Sequence, residues 1–139
     1  MRLALTTSFL LLLGACGAKA ADKLAGTYEI DAKATTAIIL EELKKQPGYD
    51  AAAAPTVAEA MSNATKGMSM ELKADGTLLL KGTGKDEAGT WKLDGSKITI
   101  TAKVDGKDDV QHGTVEGDTI KVTRDAMGKP LTVVLAKKK

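Results

Sequence analysis

Residues 97–117 read KITITAKVDGKDDVQHGTVEG. Ile98, Ile100, Ala102 and Val104 take alternate positions with polar or small partners between them, the period of a half-buried strand. Asp105-Gly106 then breaks the run. An acid followed by glycine between alternating runs is a strong hairpin signal, because both residues tolerate positive φ. The device recurs at Asp75-Gly76, Asp94-Gly95, Asp105-Gly106 and Glu116-Gly117, at intervals of 19, 11 and 11 residues. Hairpin after hairpin makes an antiparallel meander and excludes a βαβ arrangement.

Working outward, Met68, Met70 and Leu72 alternate before the first of these turns, and Leu78 and Leu80 share a face after it. Trp91 and Leu93 follow. Beyond residue 105 a weaker strand spans Val110 to Val115, whose opposite parity predicts a bulge near Gly113. Ile120 and Val122 come next, then a turn through Gly128-Lys129-Pro130, then Leu131, Val133 and Leu135. Upstream, Gly26-Thr27-Tyr28-Glu29-Ile30 reads as a first strand. A helical insertion over about residues 33–67 separates it from the rest. Its first helix, Thr35 to Lys45, places Ile39, Leu40 and Leu43 on one face and ends at Gln46-Pro47-Gly48. Its second opens on Thr56-Val57-Ala58-Glu59, the form of a capping box, and runs to about Lys66 with Val57, Ala60, Met61 and Ala64 inward. The fold class is therefore mainly β. An antiparallel meander of about eight strands forms a small barrel or strongly curved sheet, with a two-helix insertion between strands one and two.

The N-terminus carries a different signal. Met1-Arg2 is a positive start, Leu3 to Leu13 is an uncharged and mostly apolar run, and Leu13-Gly14-Ala15-Cys16 ends it at the only cysteine. This is the layout of a secretory signal. Leu-Gly-Ala-Cys also resembles the lipobox of bacterial lipoproteins. That resemblance implies cleavage before Cys16, diacylglyceryl on its thiol, and an acyl chain such as palmitate on its new amine. Residues 1–15 are then a signal peptide, and residues 16–24 a lipidated cysteine with a short tether. Residues 25–136 form the domain, and residues 137–139 a basic, frayed tail. Gly17 follows the cysteine where aspartate would favour inner-membrane retention. The resemblance therefore implies the outer membrane, facing the periplasm.

The domain resembles small bacterial lipoproteins of the lipocalin-like type. The residues that carry this are Gly26-Thr27-Tyr28, the Glu71-Leu72-Lys73-Ala74-Asp75-Gly76-Thr77 hairpin, and Gly89-Thr90-Trp91-Lys92-Leu93-Asp94-Gly95. True lipocalins begin with Gly-x-Trp. Here Tyr28 holds that place, and the helical insertion is a further departure. The resemblance implies a lipocalin-like barrel and transfers no site residues.

Composition narrows the chemistry. Loss of Arg2 takes the 20 basic residues to 19 against 18 acidic, so no excess of positive charge points to a nucleic-acid partner. Beyond the signal the aromatics are Tyr28, Tyr49 and Trp91, so the core is aliphatic. His112 has Asp108 and Glu116 on its own strand face, each roughly 13 Å away along an extended chain, too far for a shared metal. Ser62, Ser69 and Ser96 lie outside any nucleophile motif. The acid-rich loop 105–109 lacks calcium-loop spacing. No catalytic residue, metal site or cofactor is expected. The leading expectation is a non-enzymatic envelope protein that binds a small apolar ligand. Met61, Met68, Met70, Leu78 and Trp91 would line its site, with the helical pair as a lid. The alternative is a structural or protein-partner module, an assembly factor or inhibitor, with a packed interior and a protruding loop at Gln46 to Pro55. An enzyme ranks third.

Overall fold

In the computed structural model the described residues are 16–82, 84–104, 106–126 and 128–139. Residues 1–15, where the sequence leads one to expect a signal peptide ending in a lipobox, lie outside them, as does Asp105 in one turn. Helix α1 (Cys16–Leu24) precedes strand β1 (Gly26–Ile30). Helices α2 (Ala32–Lys44) and α3 (Ala54–Thr65) follow, joined through a short 3-10 turn at Ala51–Ala53. Seven strands complete the described chain: β2 (Ser69–Leu72), β3 (Thr77–Lys81), β4 (Glu87–Asp94), β5 (Lys97–Val104), β6 (Lys107–Glu116), β7 (Thr119–Ala126) and β8 (Lys129–Lys137). Each strand pairs antiparallel with the next, and β8 pairs back onto β1, so the sheet closes as an eight-stranded barrel.

The glycines make the hairpins, one place later than the acid-glycine reading puts them in two cases. Asp94 pairs with Lys97 and Glu116 with Thr119, so each acid ends its strand. Gly95 (φ 60°) and Gly117 (φ 61°) then take the first turn position, where positive φ matches the twist of the flanking strands.

No bulge reconciles Val110 with Val115. The β5–β6 register is continuous from Lys97↔Thr114 to Val104↔Lys107. The more sheltered positions along β6 are Asp109, Gln111, Gly113 and Val115, and Val110 faces solvent at 52% exposure. Gly113 is required by close approach. A Cβ there would lie 2.5 Å from the Lys121 carbonyl oxygen and 3.2 Å from Ile98 Cγ2.

The barrel has two unlike ends. At the lower end lie α1 and the turns 73–76, 94–97 and 116–119. Here Leu24, Tyr28, Leu72, Leu78, Trp91, Ile98 and Ile120 are buried together. The expected tether over residues 16–24 is instead helical. Small, polar GAKAADK reads as linker, yet it brings Leu24 into the core and Ala21 against it. The Tyr28 hydroxyl donates to the Leu24 carbonyl at 2.9 Å and ties the helix down. Lys137 and Lys138 also depart from a frayed tail. Lys137 belongs to β8 and its ammonium donates to the Lys23 carbonyl at 2.7 Å, while the Lys138 ammonium lies 2.8 Å from the Glu29 carboxylate.

Toward the upper end β1 stops while β8 continues. The start of α2 takes over its edge. The Asp31 amide donates to the Val134 carbonyl at 2.8 Å, and the Val134 amide donates to Thr35 Oγ1 at 3.0 Å, so both backbone groups of Val134 are satisfied. Asp31 also caps α2 by accepting from the Ala34 amide at 2.9 Å. Thr35 and Thr36 are the buried residues of α2, with Ile39, Leu40 and Leu43 only half-buried. The capping box expected at Thr56–Glu59 does not form. Pro55 lies at the start of α3, where its missing N–H costs nothing, and the helix begins before Thr56. Ala60 and Ala64 are exposed, because α3 packs on α2 and not on the barrel core.

Burial, then the Asp118 carboxylate, raises the Tyr28 phenol above its ordinary 10.0. The fold favours the neutral form. The stability this contributes is whole below pH 10 and is lost as pH rises through the raised value. Tyr28→Phe is expected to cost about 1 kcal/mol at neutral pH through the lost hydrogen bond. It should also flatten the fall in urea midpoint between about pH 9 and 12. Equal alkaline falls in both proteins would contradict the assignment.

Candidate functional site

Above the packed layer the interior is not filled. A cavity of about 160 Å³ opens at the upper mouth, walled by Ile30, Met70, Leu80, Ile100, Val122 and Leu135. Met68, Ala102 and Val133 complete its apolar wall. Its cause is side-chain volume. The wide residues Tyr28 and Trp91 sit in the lower half, and the inward positions above them on β4 and β5 are Gly89 and Ala102. Gly89 cannot be larger, since a Cβ there would meet the backbone of Thr101 and Ala102.

Of the residues expected to line a ligand site, Met68 and Met70 border the cavity. Leu78 and Trp91 are buried in the lower core, where the Trp91 indole N–H donates to the Lys73 carbonyl at 3.0 Å. Met61 lies half-buried on α3, away from the cavity. Neither α2 nor α3 contributes to the wall; α2 packs against β8, and α3 packs on α2.

Four lining residues carry polar groups: Ser69, Lys81, Gln111 and Arg124. The Lys81 ammonium pairs with Glu71 at 3.2 Å. Gln111 donates to the Asp109 carboxylate at 2.6 Å. Sequence reading passed over Gln111 and Arg124. The available signal was parity, since Arg124 continues the inward alternation of Ile120 and Val122.

His112 is exposed on the outer face of β6, with its Nδ1 3.4 Å from Thr99 Oγ1. Among the described residues no three metal-ligating side chains converge. No helix among them is long and apolar enough to cross a membrane. The Gln46–Pro55 segment contains the 3-10 turn, capped by Asp50, whose carboxylate accepts from the Ala52 amide at 2.9 Å.

No family model matches the chain, and no curated protein matches it either. A solved structure of a DUF4847 family protein from Bacteroides vulgatus is similar at a TM-score of 0.49 and 14% identity, covering 84% of this chain and 96% of that one. A likeness at that level carries no functional weight, and the barrel rests on its own strand pairing.

The half-filled interior predicts unequal costs of truncation. Leu72→Ala removes a side chain packed on all sides and should fall near the upper end of the roughly 2–5 kcal/mol range for such changes. Met70→Ala removes one that already borders empty space and should fall near the lower end. Urea unfolding of the two variants checks this, and equal losses would mean the cavity is filled in solution.

Proposed function

We propose that the protein is a lipid-anchored, non-enzymatic protein of the cell envelope that holds a small apolar molecule in the upper half of a lipocalin-like barrel. The observation that carries this reading is the apolar cavity of about 160 Å³ above a packed core. Its size sets the ligand class. An apolar cavity near 150 Å³ takes benzene, so this one suits a single ring or a short chain. A long acyl chain would have to protrude from the mouth.

The lipobox match at Leu13–Cys16 supports the anchor, and Gly17 supports outer-membrane residence facing the periplasm. Cys16 heads α1, at the end of the barrel opposite the cavity. An acylated Cys16 would therefore hold the mouth away from the bilayer. The helix of nine residues, about 13 Å long, would be the spacer. Two acyl chains hold firmly where one does not.

The rival reading, a protein-partner module, calls for an exposed apolar patch. Among the described residues the exposed large hydrophobic is Val110, and one such residue is ordinary.

Two measurements test the proposal. Native mass spectrometry of the protein from a bacterial periplasm should show an added mass lost on denaturation. Ala102→Phe, which fills the cavity, should remove it, with Val133→Phe as a second filling variant should the first misfold. A wild-type protein that carries no added mass and takes up no apolar probe would sink the ligand reading. Separately, Cys16→Ser should abolish incorporation of an alkyne-tagged palmitate and release the protein from the membrane fraction. Unchanged labelling would remove the anchor.

A further inference from the structure

The seam between β6 and β7 differs from its neighbours. The β5–β6 ladder runs to Val104↔Lys107 and the β7–β8 ladder to Ala126↔Lys129, both at the upper rim. The β6–β7 ladder stops at His112↔Thr123. Above it no pairing among the described residues joins β6 to β7, and Gln111 and Arg124, the next residues on the two strands, flank the notch this leaves while also lining the cavity. The notch therefore leads from solvent into the apolar interior past these two side chains.

Arg124 stands out among the lining groups. The other lining cation, Lys81, is held by Glu71. The inward carboxylate nearest the notch along β6, Asp109, already accepts from the Gln111 amide. Among the described residues no side chain pairs with the Arg124 guanidinium. A guanidinium presents two parallel N–H donors that match one carboxylate, and it binds such a group more strongly at the border of an apolar site than in open water.

We infer that the ligand is a small amphipathic acid. Its apolar body enters the cavity through the β6–β7 notch, and its carboxylate is held by Arg124. This rests on the ligand reading above and names the class of molecule. An apolar body of about six to eight carbons fits the volume.

The test separates this inference from the reading beneath it. Isotope-labelled protein is titrated with octanoate and with 1-octanol, following the amides of Met70, Gln111, Val122 and Arg124 by NMR. Octanoate is expected to bind on the order of tenfold more tightly than octanol. Arg124→Gln should bring octanoate down to the affinity of octanol and leave octanol unchanged. Arg124 is exposed and outside the packed core, so the variant should fold, and the same spectra verify that it does. Equal binding of acid and alcohol by the wild type, or an acid preference that survives Arg124→Gln, would overturn the inference while leaving a ligand cavity. Neither molecule moving these amides would overturn the cavity reading itself, and this inference with it.

Discussion

The interior of an eight-stranded barrel has a nearly fixed size, so the side chains available to fill it decide what the molecule can be. Among the described residues two aromatic side chains reach the interior, Tyr28 and Trp91, and both lie in the lower half. Protein interiors pack as densely as organic crystals, and a shortage of volume cannot be spread thinly over a core. It is gathered at one level, where Gly89 and Ala102 face inward. The packed half then holds the ring together while the other half stays open. A single cause, the placement of two large residues, separates a packed end from an open one.

Unequal strand lengths shape the remainder. β1 has five residues and β2 four, beside nine in β8. An edge left bare above β1 would expose unpaired amides and carbonyls, and the beginning of α2 supplies their partners through Asp31 and Thr35. The helical insertion is thus a patch on one flank of the barrel. The β6–β7 seam has no such patch, and that is where the cavity meets solvent beside Gln111 and Arg124.

Much of the fold was legible in the sequence because hairpin chemistry is local. Strand alternation and turn glycine lie within about ten residues of each other, and the helical pair was marked by its own stop signal. The failures were of two kinds. In β6, reading by hydrophobicity alone made Val110 an inward residue. Pairing with β5 fixes the opposite parity, and polar Asp109 and Gln111 can face inward because the barrel is open at that height. In α1, polar and small residues concealed a helix that meets the core through Leu24 and Ala21. The cavity was legible in part. Met68 and Met70 were marked by their clustering in sequence, but Met61 belongs to the outer helix. Trp91 and Leu78 have the same inward parity as cavity residues, and only the register tells the lower level from the upper one.

Closure of the ring brings residues far apart in sequence to one place. Tyr28 pairs with Lys137, and the ammonium of Lys137 reaches the carbonyl of Lys23, at the end that α1 covers. The first and last described segments therefore leave the barrel on the same side, opposite the notch. A fluorophore, affinity handle or solid support joined ahead of α1 or beyond β8 would stand clear of the mouth. The protein can be immobilised through either one with its interior still open to solution.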